Sequence, residues 1–148
     1  MRIEPSTKGS VAGDLKFKSL NQDYITDCNA TSVHGGVPIS QVWVSQSHDP
    51  NFIIHSDALF LIVIEKEGIY QRFCQDNFTK KLRCILVTGC GFPDIATRAL
   101  IHCIKTRLPH IKVVCIIDCN PFGVSLFLNY KFGSKAKDFE GAGFEVPR

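Results

Sequence analysis

Three apolar runs in this chain end in residues that can do chemistry. Ala58 to Ile64 ends at Glu65, Cys84 to Val87 ends in Thr88-Gly89-Cys90-Gly91, and the β-branched run Val113 to Ile117 ends in Asp118-Cys119-Asn120-Pro121. An unbroken apolar run reads as a strand buried on both faces of a parallel sheet. In such a sheet the three carboxyl ends share one edge, where open α/β folds place their ligands. Glu65 and Asp118 would then meet across about fifty intervening residues. Two carboxylates in a crevice make an oxygen-rich site for Mg²⁺, a hard cation that keeps water and phosphate among its ligands. The chemistry implied is metal-assisted phosphoryl transfer, with Glu65 alternatively a general acid or base. Spacing alone leaves the class open, since acids at strand ends also serve receivers, phosphatases and nucleotide binders.

Each residue also has a plainer reading. Glu65 could be a strand-end charge paired with Lys66. Asp118 could cap a helix, which is compatible with metal binding. Asn120 could be a cap or turn residue rather than a ligand. Gly89 and Gly91 could simply permit a tight turn. Arg98 and Lys131 are solvated charges by default, and Arg72 beside Phe73 could cover the core with its stem. The five histidines, His34, His48, His55, His102 and His110, show no shared face.

The elements that must position these residues follow from periodicity. Lys66 to Phe78 places Ile69, Tyr70, Phe73 and Cys74 on one helical face. Pro93 and Asp94 open a second helix, in which Ile95, Ala99, His102 and Cys103 recur at helical spacing, and Pro109 ends it. Lys105 and Arg107 in its last turn suit the helix dipole. Pro121 suits the first turn of a third helix, over about Phe122 to Tyr130. The order from Ala58 is β-α-β-α-β-α, which implies a parallel sheet with right-handed crossovers. The chain therefore divides into a β-rich entry segment, 1–56, and an α/β core, 57–148. In the entry segment Met1 to Asp14 is polar and glycine-bearing. Leu15 to Lys18, Tyr24 to Cys28 and Gln41 to Val44 read as short strands, with a turn at Asn21-Gln22-Asp23, a loop from Asn29 to Pro38 and a polar turn from Ser45 to Asn51.

The chain has 148 residues, 45% hydrophobic and 21% charged, which is enough for one domain with a real core and excludes a disordered chain. A net charge of +3 permits nucleic-acid contact without implying it. The seven cysteines are odd in number and lack Cys-x-x-Cys spacing, so they read as reduced thiols of an intracellular protein. No Cys or His pair has zinc-finger spacing. The N-terminus has no signal-peptide pattern, and no apolar run reaches the roughly 20 residues of a membrane span.

Val63-Ile64-Glu65-Lys66-Glu67-Gly68-Ile69-Tyr70-Gln71-Arg72-Phe73 resembles the Glu-Lys motif of the Toprim domain in the topoisomerase VI A-subunit family, which includes the meiotic double-strand-break transesterase. The likeness continues through Asp76-Asn77-Phe78, Thr88 to Arg98, Asp118 to Gly123 and Tyr130 to Ser134, and Ser6 to Phe17 resembles the family's entry segment. The resemblance implies a Toprim-like Rossmannoid fold and an Mg²⁺ held by Glu65, Asp118 and Asn120. It also implies DNA contacts at Gly89, Gly91, Arg98 and Lys131. The partners it implies are duplex DNA, a second A-type protomer in a homodimer and an ATPase-type B subunit, in the nucleus and away from membranes. In the family a tyrosine on a separate winged-helix domain attacks DNA.

Three departures bear on function. The family's Asp-x-Asp stands here as Asp118-Cys119-Asn120, Cys90 replaces a lysine between the two glycines, and no segment matches the winged-helix domain. The chain reads as a C-terminally truncated piece of a larger protein. The favoured function is the Mg²⁺- and DNA-binding part of a DNA-cleaving transesterase, with the nucleophile elsewhere. The rival is a non-catalytic DNA-binding or assembly module whose metal site has decayed. A small-molecule phosphate binder is the third reading and ignores most of the motifs.

Overall fold

The computed structural model describes residues 8–20, 24–47 and 49–133. Ser6, the turn at Asn21-Gln22-Asp23, His48 and everything from Ser134 onward lie outside the described residues. The core is a sheet of five strands: β1 (Ser10–Gly13), β4 (Val37–Pro38), β6 (Phe60–Ile64), β7 (Cys84–Thr88) and β8 (Lys112–Ile116). They lie in the order β4-β1-β7-β6-β8. β6 pairs in parallel with both β7 and β8, and Ile64 stands opposite Thr88 on one side and Ile116 on the other. β1 is antiparallel to β7 and β4. The fold is the expected α/β arrangement, with a parallel core and small N-terminal strands.

The parallel strands β6 and β7 are apolar throughout because both faces are covered. Leu61, Val63, Ile85 and Val87 point into a cluster with Ala96, Leu100, Ile101 and Ile104 of α4 (Ile95–Arg107). Their neighbours Ile62, Ile64, Cys84 and Leu86 point the other way, onto Tyr70 and Cys74 of α2 (Glu67–Gln75). Each fully buried aliphatic side chain contributes about 1.5–3 kcal/mol of transfer free energy. α3 (Phe78–Leu82) follows α2 after a left-handed Asn77 and ends at a left-handed Arg83. The helix expected over Lys66 to Phe78 is α2, which ends at Gln75, and a second short helix begins at Phe78. α5 (Pro121–Phe132) closes the described chain and packs Leu126 and Tyr130 into the α4-side cluster.

β8 departs from the sequence reading. It ends the sheet order, its residues Lys112 and Val114 are exposed, and none of the five is fully buried. Val113 and Cys115 pack against the α4-side cluster and Ile116 against the α2-side cluster, each only partly buried.

The entry segment and the α/β core share strands of one sheet. β1 runs between β4 and β7, inside the main sheet, with Val11, Ala12 and Gly13 buried. A second, antiparallel sheet of β3 (Thr26–Asp27), β2 (Lys16–Lys18) and β5 (Ile53–His55) sits beside it. Gln41 to Gln46 forms α1, not the expected strand. Its β-favouring Val42-Trp43-Val44 is overruled locally and tertiarily. Ser40 accepts the Val42 N–H through its hydroxyl, and the Trp43 ring packs edge-on against Phe17 with centroids 4.3 Å apart.

Among the described residues no helix is long and apolar enough to cross a membrane. The seven cysteines are all free thiols.

Candidate metal and nucleic-acid site

The carboxyl ends of β6, β7 and β8 share one edge, so Glu65, the Thr88–Gly91 turn and Asp118 are neighbours there. Glu65 follows the last residue of β6, and its N–H donates to the Ile116 carbonyl at 3.0 Å, extending the ladder by one step. Glu65 is only 8% exposed. A charge so buried requires compensation, and one comes from the backbone of the third strand. The Asp118 N–H donates to Glu65 Oε2 at 2.8 Å. That contact crosses 53 residues of sequence and joins the two acids at one place.

Asp118 itself is not paired as expected. Lys66, not a capped helix end, takes its carboxylate, with Nζ 3.0 Å from Oδ2. The bond and the charge of Asp118 hold the Lys66 ammonium above its ordinary pKa, with a smaller push from Glu65. Lys66 thus neutralises Asp118, where the sequence suggested Glu65. The helix cap belongs to Asn120, whose Oδ1 accepts the Gly123 N–H at 2.8 Å, with Pro121 opening α5. The cap uses the oxygen that a metal would also seek.

β7 ends in a strained turn. Cys90 is left-handed at φ +50° and Gly91 at φ +92°. A side chain is tolerated at Cys90 because its N–H donates to Thr88 Oγ1 at 3.2 Å and its thiol donates to the Lys8 carbonyl at 3.2 Å. Burial raises the Cys90 thiol pKa, and the neighbouring Glu67 carboxylate raises it further, so position 90 carries a neutral group. Gly91 has open space where a Cβ would point, and its N–H donates to the Glu65 carbonyl at 3.3 Å. Gly89 differs. A Cβ there would lie 2.8 Å from the Tyr130 hydroxyl and 2.9 Å from Pro93 Cα, so packing requires a glycine here.

An open cleft of about 590 Å³ lies over this edge, lined by Glu65, Lys66, Glu67, Cys90 and Gly91 among others. Glu67 is the residue that sequence reasoning passed over. It stands in the first turn of α2, where an acid suits the helix dipole, and the Glu-Lys-Glu spelling was the available signal.

Arg98 and Lys131 are not at this cleft's lining. Arg98 is 2% exposed, and its Nε and Nη1 have no hydrogen-bond partner among the described residues. Burial lowers its pKa, with Asp94 opposing the shift. It is an internal cation facing Gly133, whose Cβ would lie 3.1 Å from Nη1, and not the solvated charge of the plainer reading. Lys131 lies on α5 with its ammonium 5.2 Å from the Phe132 ring centre.

The donor chemistry fits Mg²⁺. Glu65 and Asp118 offer oxygen alone, and Mg²⁺ takes one or two protein carboxylates with water and phosphate completing its shell. The set is sparse: among the described residues no three His, Cys, Asp or Glu side chains are grouped to hold a metal.

A family model for the Toprim domain of the topoisomerase 6 A-subunit/Spo11 proteins matches residues 60–148. The chain is 34% identical over 139 residues to meiotic recombination protein SPO11-1 of Arabidopsis thaliana, a match covering 94% of this chain and 36% of that protein. It is 32% identical over 149 residues to meiotic recombination protein SPO11 of Homo sapiens, covering 99% of this chain and 35% of that protein. The Mus musculus protein of the same name is 29% identical over 148 residues, with the same coverages. The chain spans about a third of the length of these relatives.

Proposed function

The chain belongs to the topoisomerase 6 A-subunit/Spo11 family through its Toprim domain, and we propose that it is the Mg²⁺-holding, DNA-facing part of a transesterase that breaks both DNA strands in meiotic recombination. The observation that carries this reading is the Asp118 N–H bound to the Glu65 carboxylate, which holds two acids at one strand edge beside an open cleft. Glu65 and Asp118 would hold the metal, and Asn120 would add an amide oxygen. When bound, Mg²⁺ supplies neutralisation of phosphate charge.

The chain's own residues bind and orient the backbone of the duplex. The N-termini of α4 and α5 face the same edge, capped by Asp94 and Asn120, and their dipoles favour an anion there. Gly91 leaves room for a phosphate to approach, while Lys131, in the last turn of α5, offers a cation away from that edge. The attacking tyrosine would come from a winged-helix domain outside this chain. A homodimer, an ATPase-type B subunit and a nuclear setting belong to the same proposal. A second reading, a DNA-binding or assembly module with a decayed metal site, draws on the Asn120 oxygen already spent on the α5 cap.

Binding of a fluorescent DNA duplex, followed by anisotropy with Mg²⁺ and with EDTA, separates the two. We expect Mg²⁺ to tighten binding, Asp118→Asn to remove that gain, and affinity to fall steeply with salt as phosphate contacts release counterions. Equal affinity with Mg²⁺ and EDTA favours the assembly module.

A further inference from the structure

Lys66 is the basic residue among those lining the cleft, and its ammonium is placed on the carboxylate that a metal would need. Its side chain is 58% exposed and that of Asp118 is 36% exposed, so the pair sits in solvent contact and is free to part. Glu65 is fixed differently, by a backbone N–H that metal binding need not disturb. The two acids are thus unequal: Glu65 is anchored, and Asp118 is neutralised by a removable cation.

An ammonium and a magnesium ion cannot share one carboxylate oxygen at full strength, because their charges repel and Mg²⁺ must approach to roughly 2.0–2.1 Å. Lys66 has a flexible four-carbon stem carrying a compact charge. Once displaced it remains at the mouth of a cleft that Glu65 and Glu67 make acidic, where a DNA phosphate would otherwise meet only negative charge.

We propose that Lys66 is a resident counter-ion of Asp118 which Mg²⁺ displaces, and that the released ammonium then takes a DNA phosphate. This rests on reading Glu65 and Asp118 as the metal site. The exchange couples metal and DNA binding: each ligand favours the state in which Lys66 has left Asp118. By linkage the coupling is reciprocal.

The test is calorimetric Mg²⁺ titration of the native chain, Lys66→Gln, Lys66→Arg and Asp118→Asn, each without DNA and with a short duplex. Without DNA, Lys66→Gln is expected to bind Mg²⁺ about two- to fivefold tighter than native, the range an exposed ion pair allows. The difference should shrink between about 50 and about 300 mM salt as screening grows. Lys66→Arg keeps the charge and should titrate like native. With DNA the order reverses, because Lys66→Gln lacks the cation for the phosphate, and Mg²⁺ should improve its DNA affinity less than it improves that of native. If Lys66→Gln binds Mg²⁺ no tighter than native while Asp118→Asn loses it, the metal site stands and Lys66 is not its counter-ion. If none of the four binds Mg²⁺, the site itself falls and the exchange with it.

Discussion

Asn120 carries two roles that substitution can separate. Its Oδ1 caps α5 on the Gly123 N–H, and the same oxygen is the third candidate ligand. Asn120→Ala removes both, and should cost about 1 kcal/mol of stability through the lost cap, read from chemical denaturation. Asn120→Asp keeps a capping oxygen, adds a charge that the helix N-terminus favours, and offers Mg²⁺ an anionic ligand. Its stability should equal or exceed native while Mg²⁺ binds more tightly. Unchanged Mg²⁺ affinity in Asn120→Asp would remove Asn120 from the site. Glu65 and Asp118 were legible as strand-end acids because the residues that precede them are strongly apolar. The partners were not legible. Whether Lys66 reaches Glu65 or Asp118 is decided by the β6–β8 register, and the burial of Arg98 is decided by α4 packing near Gly133. Neither lies in local sequence.

At the scale of elements, the parallel strands and their helices could be read from hydrophobic period because covered faces demand unbroken apolar runs. β1 could not. Ser-Val-Ala-Gly is short and small, and its place in the sheet comes from pairing with β7 and β4. Smallness is what that place requires: Gly36, just before β4, approaches β1 so closely that a Cβ would lie 2.2 Å from the Val11 carbonyl oxygen and 2.7 Å from the Tyr70 hydroxyl. Its φ is +79°, a conformation that side chains avoid. Gly36→Ala should therefore destabilise by at least about 2 kcal/mol, combining strain and overlap. Gly91→Ala shares the positive φ but meets open space, and should cost about 1 kcal/mol for backbone strain alone. Equal losses in thermal unfolding would show that β4 does not pack on β1 as described.

At the scale of the whole molecule, the three tyrosines are the groups to weigh as nucleophiles. Tyr70 is fully buried with its hydroxyl donating to the Gly35 carbonyl at 3.0 Å, and Tyr130 is 3% exposed. Burial raises the pKa of both hydroxyls, which keeps them protonated and poor as nucleophiles. Tyr24 is 63% exposed but lies in the entry segment before β3. Incubation with duplex DNA and Mg²⁺ should give no denaturant-resistant protein–DNA adduct. An adduct that vanishes on Tyr24→Phe, Tyr70→Phe or Tyr130→Phe would overturn the proposed absence of a nucleophile.

The central claim is that Glu65 and Asp118 form one oxygen site for a divalent ion. Mn²⁺ replaces Mg²⁺ at oxygen sites and is paramagnetic, so its free concentration can be followed by electron paramagnetic resonance in titrations of native, Glu65→Gln and Asp118→Asn proteins. The account predicts one saturable site in the native protein, competed by Mg²⁺, with affinity falling about tenfold or more in each variant as an anionic ligand is lost. A native site that neither substitution weakens would contradict it.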